Sequence, residues 1–93
     1  MNKIILVTTE GCQGCNIMRE SIKQALTFTK KEGIEFEDFN RDGLLDKYPS
    51  IYAKVRFKDF PTTIFVKDNV ITRKEVGTRP YIVVLRWIDI DFK

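Results

Sequence analysis

Two cysteines lie where a predicted strand gives way to a predicted helix, and no other feature constrains the chain as much. They are Cys12 and Cys15, the only cysteines of the protein, within the segment Thr8–Asn16. The apolar run Ile4–Val7 before this segment predicts a buried strand, and apolar residues at helical spacing follow it. A thiol in the first turn of a helix faces unpaired N–H groups and the positive end of the helix dipole. Both favour the thiolate, which is the nucleophilic form of cysteine.

Three simpler explanations of the cysteine pair compete with a redox pair. A zinc site needs four ligands, but the chain has no histidine and no third cysteine, so only a site shared between subunits would suffice. Small buried hydrophobic residues are unexpected at a glycine-rich turn, which is usually exposed. A purely structural disulfide across so short a loop constrains the unfolded chain little. A redox pair is favoured, since Cys-x-x-Cys beside a βαβ pattern is typical of redox motifs.

Length and charge limit the remaining classes of protein. The 93 residues form one predicted domain, 1–93, which is long enough to bury roughly two-thirds of its unfolded surface. The net charge of +3 comes from scattered residues, whereas a nucleic-acid surface needs clustered Lys and Arg. No apolar run approaches the length of a membrane span or of a secretory signal. We therefore expect a cytoplasmic protein that binds neither nucleic acid nor membrane, and we also expect a monomer.

Hydrophobic periodicity and turn residues predict the element order β-α-β-α-β-β-α. The predicted elements are a strand at Lys3–Thr8, a helix from about Gly14 to Lys31 that ends at Gly33, a strand at Ile34–Phe39, a turn and helix start at Asn40-Arg41-Asp42-Gly43, a helix at Leu44–Val55 kinked or divided by Pro49, a strand entered at Phe60-Pro61 and reaching Val66, a strand at Val70–Val76 after a turn at Lys67-Asp68-Asn69, and a last helix that starts at Thr78-Arg79-Pro80. The alternation shifts phase at Asp38, which predicts a bulge or the strand's end there. The alternation over residues 88–92 leaves a terminal strand open as an alternative.

This order, with Cys-x-x-Cys opening the first helix, resembles the thioredoxin fold over almost the whole chain. The segment Lys58-Asp59-Phe60-Pro61-Thr62 is similar to the thioredoxin-family segment that carries a cis-proline before the third strand. The hairpin that leads to Val76-Gly77 is similar too. The resemblance implies an α/β protein with a central mixed four-stranded sheet flanked by helices, as in small thioredoxin-like or glutaredoxin-like redoxins.

The resemblance also implies a site. Pro61 is expected to be cis and to lie against the disulfide, and the backbone of Phe60 is expected to pair with an extended substrate segment. The implied catalytic residues are Cys12 and Cys15, and the implied substrate-binding residues are Phe60, Pro61, Thr62, Gly77, Thr78 and Arg79. Apart from a redox-active disulfide Cys12–Cys15, neither a bound cofactor nor a metal is expected.

Two departures from the family pattern bear on the electron donor. Thioredoxins usually carry Trp-Cys-Gly-Pro-Cys and a buried acid on the first active-site strand, where this chain has Gly11 before Cys12 and Leu6 on the strand. The segment Gly77-Thr78-Arg79-Pro80 lacks the acid and second glycine of the glutathione clamp of glutaredoxins. It is closer to the Gly-Phe-Arg-Pro of glutaredoxin-like redoxins that reduce ribonucleotide reductase. We therefore expect a thioredoxin reductase, rather than glutathione, as the donor.

The expected function is thiol–disulfide exchange with protein substrates, in which Cys12 attacks and Cys15 resolves the mixed disulfide. Because the chain has no histidine, the candidates for proton transfer include Glu10 and Asp59, although both are more simply solvated surface acids. Arg79 and Lys58 are candidates for favouring the thiolate or guiding an acidic partner. Two alternatives stay open: a binding module that holds a metal or an iron–sulfur cluster between subunits through Cys12, and an interaction domain whose disulfide is incidental.

Overall fold

The computed structural model describes residues 1–93 and contains four strands and four helices. Their order is β1 (Asn2–Thr8), α1 (Gln13–Phe28), β2 (Ile34–Asn40), α2 (Arg41–Lys47), α3 (Pro49–Lys54), β3 (Thr62–Lys67), β4 (Val70–Val76) and α4 (Tyr81–Asp91). The strands form one sheet in the order β2-β1-β3-β4, in which β1 is parallel to β2 and the other two pairs are antiparallel. The predicted α/β class and mixed four-stranded sheet are confirmed.

The central strand β1 is buried on both faces, as its continuous apolar run predicts. Ile4 and Leu6 pack in a core with residues of α1 and α4, whereas Ile5 and Val7 pack in a second core beside α2 and α3. The sheet is therefore covered on its two sides, and the segment after β1 emerges between the two layers. That segment contains the cysteines.

The strand β2 is continuous through Asp38 and ends at Asn40, so the predicted bulge or strand end at Asp38 is wrong. Its residues pair with β1 without a shift in register over the whole strand. The phase of the apolar residues changes because Phe36 packs toward the first core and Phe39 toward the second. An irregular register occurs instead between Phe65 and Val66, where β3 pairs with β4.

Helix α1 ends at Phe28, before the predicted end at Lys31. The last buried residue of the helix is Ala25, and Phe28 is 59% exposed, so further turns would cover no apolar surface. Thr29 has an extended backbone, and its hydroxyl accepts a hydrogen bond from the Lys31 N–H at 3.2 Å. This local turn ends the helix.

The predicted helix around Pro49 is two helices, α2 and α3, which meet at Tyr48. Pro49 is the first residue of α3, where its missing N–H leaves no hydrogen bond unmade. Helix α2 begins at Arg41, within the predicted turn and helix start, and Asn40 caps it: the Asn40 Oδ1 accepts the Gly43 N–H at 2.7 Å. The predicted division at proline is confirmed.

The last element is helical to Asp91, so the alternative of a terminal strand is wrong. Val84, Trp87 and Ile88 are buried at helical spacing against the core shared with α1. The order of elements after β4 therefore matches the predicted one. None of the four helices is long and apolar enough to cross a membrane.

Candidate active site

A disulfide joins Cys12 to Cys15 at the start of α1, with a Cα–Cα distance of 5.3 Å. Gly11, with a φ of 67°, turns the chain out of the sheet toward the helix, in a conformation that glycine adopts readily. Cys12 is the N-cap of α1, and its Sγ accepts the Cys15 N–H at 3.0 Å. The sulfur of Cys12 thus occupies the position where a capping side chain meets the free N–H groups of the first turn.

The two cysteines differ in their access to solvent. Cys15 is 2% exposed because it faces the sheet, on the same side of α1 as the buried Met18 and Ile22. Cys12 is only partly buried. An approaching partner therefore meets the sulfur of Cys12 first.

The electrostatic surroundings favour negative charge on Cys12. Helix α1 has 16 residues and no acidic residue in its first turn, so its positive dipole end is not neutralised there. Arg19 lines the groove beside the disulfide, but it donates hydrogen bonds to the Asp38 carboxylate and, at 2.7 Å, to the Asn16 Oδ1. The hydrogen bond to Asp38 raises the pKa of Arg19. The helix terminus is therefore the clearest stabiliser of a thiolate.

Asn16 and Arg19 were not among the predicted site residues. They line a polar groove with Thr8, Thr9 and Gln13 beside the cysteines. The available signal was their spacing of three on the first helix, which places two polar side chains together on the surface. That spacing does not distinguish a binding groove from an ordinary solvated helix face.

Three separate segments meet at Gly14, between the cysteines. A Cβ at Gly14 would lie 3.3 Å from the Thr78 Cγ2 and 3.4 Å from the Pro61 Cδ. The missing side chain thus lets the loops before β3 and before α4 approach the first turn of α1. The Gly77 N–H donates to the Pro61 carbonyl at 2.9 Å and joins the two loops to each other. Pro61, Gly77 and Thr78 therefore surround the cysteine pair.

The Phe60–Pro61 peptide bond is cis, and Pro61 is buried. Phe60 is half-buried, with its ring stacked on Phe57 at 6.5 Å. The side chain of Phe60 thus packs toward α3 rather than toward the disulfide. No backbone group of Phe60 is hydrogen-bonded to another part of the chain.

Thr62 turns its side chain away from α1. It is fully buried, its hydroxyl donates to the Asp59 carbonyl at 2.8 Å, and it pairs with Val7 of the second core. Because cross-strand partners share a face of the sheet, Thr62 faces α2 and α3. Of the predicted substrate-binding side chains, this one is separated from the cysteines by the sheet.

Arg79 folds back onto its own loop, where its Nη1 donates to the Thr78 carbonyl at 2.8 Å and its Nη2 lies 3.9 Å from the Glu75 carboxylate. The other charged candidates, Glu10, Lys58 and Asp59, are exposed. Both cysteines are in the disulfide, and no group of three or more His, Cys, Asp or Glu side chains is placed to hold a metal ion.

No protein-family model matches the sequence, and no curated protein matches it. Solved structures do match. Thioredoxin-2 of the malaria parasite, described as a component of the protein secretion machinery, superposes with a TM-score of 0.75 and 18% identity, over 97% of this chain and 82% of its own. Desulfothioredoxin from Desulfovibrio vulgaris Hildenborough, in its reduced form, superposes with a TM-score of 0.76 and 12% identity, over 96% of this chain and 80% of its own. Chloroplastic thioredoxin z superposes with a TM-score of 0.71 and 12% identity, over 100% of this chain and 80% of its own. The chain has the thioredoxin fold.

Proposed function

We propose that the protein is a thiol–disulfide oxidoreductase that reduces protein disulfides through Cys12 and Cys15. The unequal exposure of the two sulfurs at one helix N-terminus carries this proposal. An accessible Cys12 is suited to attack a partner, and Cys15, at 2% exposure, is suited to act only within the molecule. A disulfide that served only to brace the fold would gain nothing from this asymmetry, since it links residues one helical turn apart.

The reaction proceeds in two exchanges. The Cys12 thiolate attacks one sulfur of the partner's disulfide; a mixed disulfide forms, the partner's S–S bond breaks, and its other sulfur leaves as a thiolate. The Cys15 thiolate then attacks the Cys12 Sγ, so that the Cys12–Cys15 bond forms and the bond to the partner breaks. The partner gains two electrons and, with two protons, becomes a dithiol. The protein is left in the disulfide form.

The substrate segment is proposed to dock at the edge formed by Phe60 and Pro61. The backbone groups of Phe60 are free of hydrogen bonds within the chain, which suits the addition of an extended peptide. Thr78 is exposed on the other side of Gly14 and borders the same approach to the Cys12 sulfur.

A thioredoxin reductase is proposed as the electron donor, in the cytoplasm. Arg79, the cation of the loop before α4, already binds the Thr78 carbonyl and lies near Glu75, which disfavours its use as a clamp for a glutathione carboxylate. Turnover should be faster with NADPH and thioredoxin reductase than with NADPH, glutathione and glutathione reductase. Equal or faster turnover with glutathione would reject this donor.

The function itself is tested by reduction of insulin disulfides with dithiothreitol as the reductant. Wild-type protein should accelerate the precipitation of insulin chains above the rate with dithiothreitol alone. Cys12→Ser should abolish the acceleration. Cys15→Ser, reduced beforehand and freed of dithiothreitol, should accumulate a mixed disulfide between Cys12 and an insulin chain, because the resolving thiol is missing. A wild-type rate equal to that of dithiothreitol alone would overturn the proposal.

A further inference from the structure

One buried side-chain polar atom of the protein has no hydrogen-bond partner, the hydroxyl of Thr63 in β3. Thr63 is fully buried, so solvent does not satisfy the hydroxyl either. Leaving a buried donor unpaired costs free energy, and native proteins rarely do so without a reason. The adjacent Thr62, equally buried, is paired with a backbone carbonyl. The exception is therefore specific to Thr63.

Neither neighbouring strand provides a hydrogen-bond partner for the Thr63 hydroxyl. On one side it pairs with Leu6 of β1, which has no polar side-chain atom. On the other side it pairs with Glu75 of β4, whose carboxylate is 2.9 Å from the Arg73 Nη1. Since cross-strand partners share a face, the hydroxyl of Thr63 projects toward the layer formed by α1 and α4.

The residues on either side of Thr63 locate it against α1. Side chains alternate along a strand, so Pro61, Thr63 and Phe65 share a face. Pro61 meets α1 at Gly14, and Phe65 lies in the same core as Met18 of α1. Thr63 lies between these two residues on the strand, on the face of the sheet toward which the buried side of α1, with Cys15, is turned.

The redox state of Cys15 decides what the hydroxyl can bind. In the disulfide form, the Cys15 sulfur is a weak acceptor. When the disulfide opens, the same atom becomes a thiol or thiolate with 2% of its residue exposed, and a buried thiolate needs a hydrogen-bond donor. A donor without an acceptor and a latent acceptor without a donor thus lie on the same side of the sheet.

We propose that the Thr63 hydroxyl donates a hydrogen bond to the Cys15 Sγ once the disulfide is reduced, and holds the thiolate for its attack on Cys12. The proposal rests on the redox function proposed above. Thr63 shares its proton but does not give it up: the proton of the Cys15 thiol passes to water or to the departing partner thiolate. The Cys15 electron pair forms the new bond to the Cys12 Sγ as the bond from Cys12 to the partner breaks. The hydrogen bond stabilises the dithiol relative to the disulfide.

The test is the equilibrium of the full chain with reduced and oxidised dithiothreitol. Thr63→Val keeps the shape of the side chain and removes the hydroxyl, so the equilibrium should shift toward the Cys12–Cys15 disulfide by about tenfold, or ~30 mV to more negative potential. Thr63→Ser, which retains the hydroxyl, should restore the wild-type constant. The mixed disulfide on Cys12 should also persist longer in Thr63→Val than in the wild type.

A wild-type constant in Thr63→Val, or a shift toward the dithiol, would overturn the role of Thr63. If Thr63→Val alters the fold, Thr63→Ala and Thr63→Ser decide the question instead, because only Ala should shift the equilibrium; equal shifts would also overturn it. Failure of the redox function gives a different result: the wild-type pair itself would not equilibrate with dithiothreitol or accelerate insulin reduction.

Discussion

Two polar groups, one on each face of the sheet, differ in whether they have a hydrogen-bond partner. On the face covered by α2 and α3, Glu37 joins Lys3, Lys47 and Tyr48 in a set of mutual contacts, here called the Glu37 network. On the face covered by α1 and α4, the fully buried hydroxyl of Thr63 has no hydrogen-bond partner. The first arrangement is complete in the folded chain, so it stabilises the fold. The Thr63 hydroxyl lacks a hydrogen-bond partner in the disulfide form, which is why we propose a role for it in the reduced form.

The Glu37 network ties β1, β2 and α2 together. The Glu37 carboxylate accepts hydrogen bonds from the Lys47 Nζ and the Tyr48 hydroxyl, both at 2.5 Å, and lies 3.0 Å from the Lys3 Nζ. Burial alone would raise the pKa of Glu37, but these hydrogen bonds outweigh burial and lower its pKa to about 2. The depressed pKa measures how strongly the folded protein favours the carboxylate.

The largest expected effect is a loss of stability in acid. Because the pKa of Glu37 falls from 4.5 to about 2 on folding, its contribution is complete above pH 4.5 and is lost as the pH falls toward 2. The difference amounts to about 3 kcal/mol of unfolding free energy. Urea denaturation across this pH range should show the loss in the wild type and a much smaller one in Glu37→Gln. The same loss in both proteins would assign the acid sensitivity to other groups.

Removing the charge of Glu37 at neutral pH comes next. Glu37→Gln should lower the unfolding free energy by about 2 kcal/mol, because Lys3, whose side chain is 17% exposed, keeps its charge and loses its closest carboxylate. Glu35 provides the matched control: it lies on the same face of β2, is 49% exposed and is 3.7 Å from the Lys3 Nζ. Glu35→Gln should cost less than about 0.5 kcal/mol. Equal costs would mean that Glu37 is no better placed than a surface residue.

The adjacent threonines give the smallest effect and the sharpest contrast in sign. In the oxidised protein, Thr62→Val should lower the unfolding free energy by about 1 kcal/mol, because the bond to the Asp59 carbonyl is lost. Thr63→Val should raise it by about 1 kcal/mol, because an unpaired buried hydroxyl is removed. Urea denaturation of both variants in the disulfide form measures the two changes. Destabilisation by both would show that the Thr63 hydroxyl is satisfied before reduction.

The sequence predicted an element correctly where its apolar pattern had a single physical origin. The apolar run of β1 and the helical spacing of α1 correctly placed the cysteines where the first strand gives way to the first helix. The end of α1 was misplaced because Lys30, Lys31 and Gly33 resemble a helix terminus, whereas the actual end depends on where the apolar surface of the sheet stops. The break expected in β2 arose because the apolar residues of this strand lie on both of its faces and pack in two different cores, so their spacing changes without a break in the strand.

The candidate site was predictable in part for a similar reason. The spacing of Cys12 and Cys15 is a local signal, and the resemblance supplied Pro61, Gly77 and Thr78, which the fold brings to Gly14. Thr63 carries no local signal, because a threonine in an apolar strand is ordinary. Its lack of a partner follows from what the neighbouring strands and α1 place around it, which only the assembled structure reveals.

The unequal roles of the two sulfurs are tested most directly by alkylation of the reduced protein. Limiting iodoacetamide at neutral pH, followed by peptide mass mapping, reports which thiol reacts first. We expect the label mainly on Cys12, which is the partly exposed N-cap of α1, and little on Cys15, which is 2% exposed. Preferential labelling of Cys15 would contradict the assignment of Cys12 as the attacking thiol and Cys15 as the resolving one.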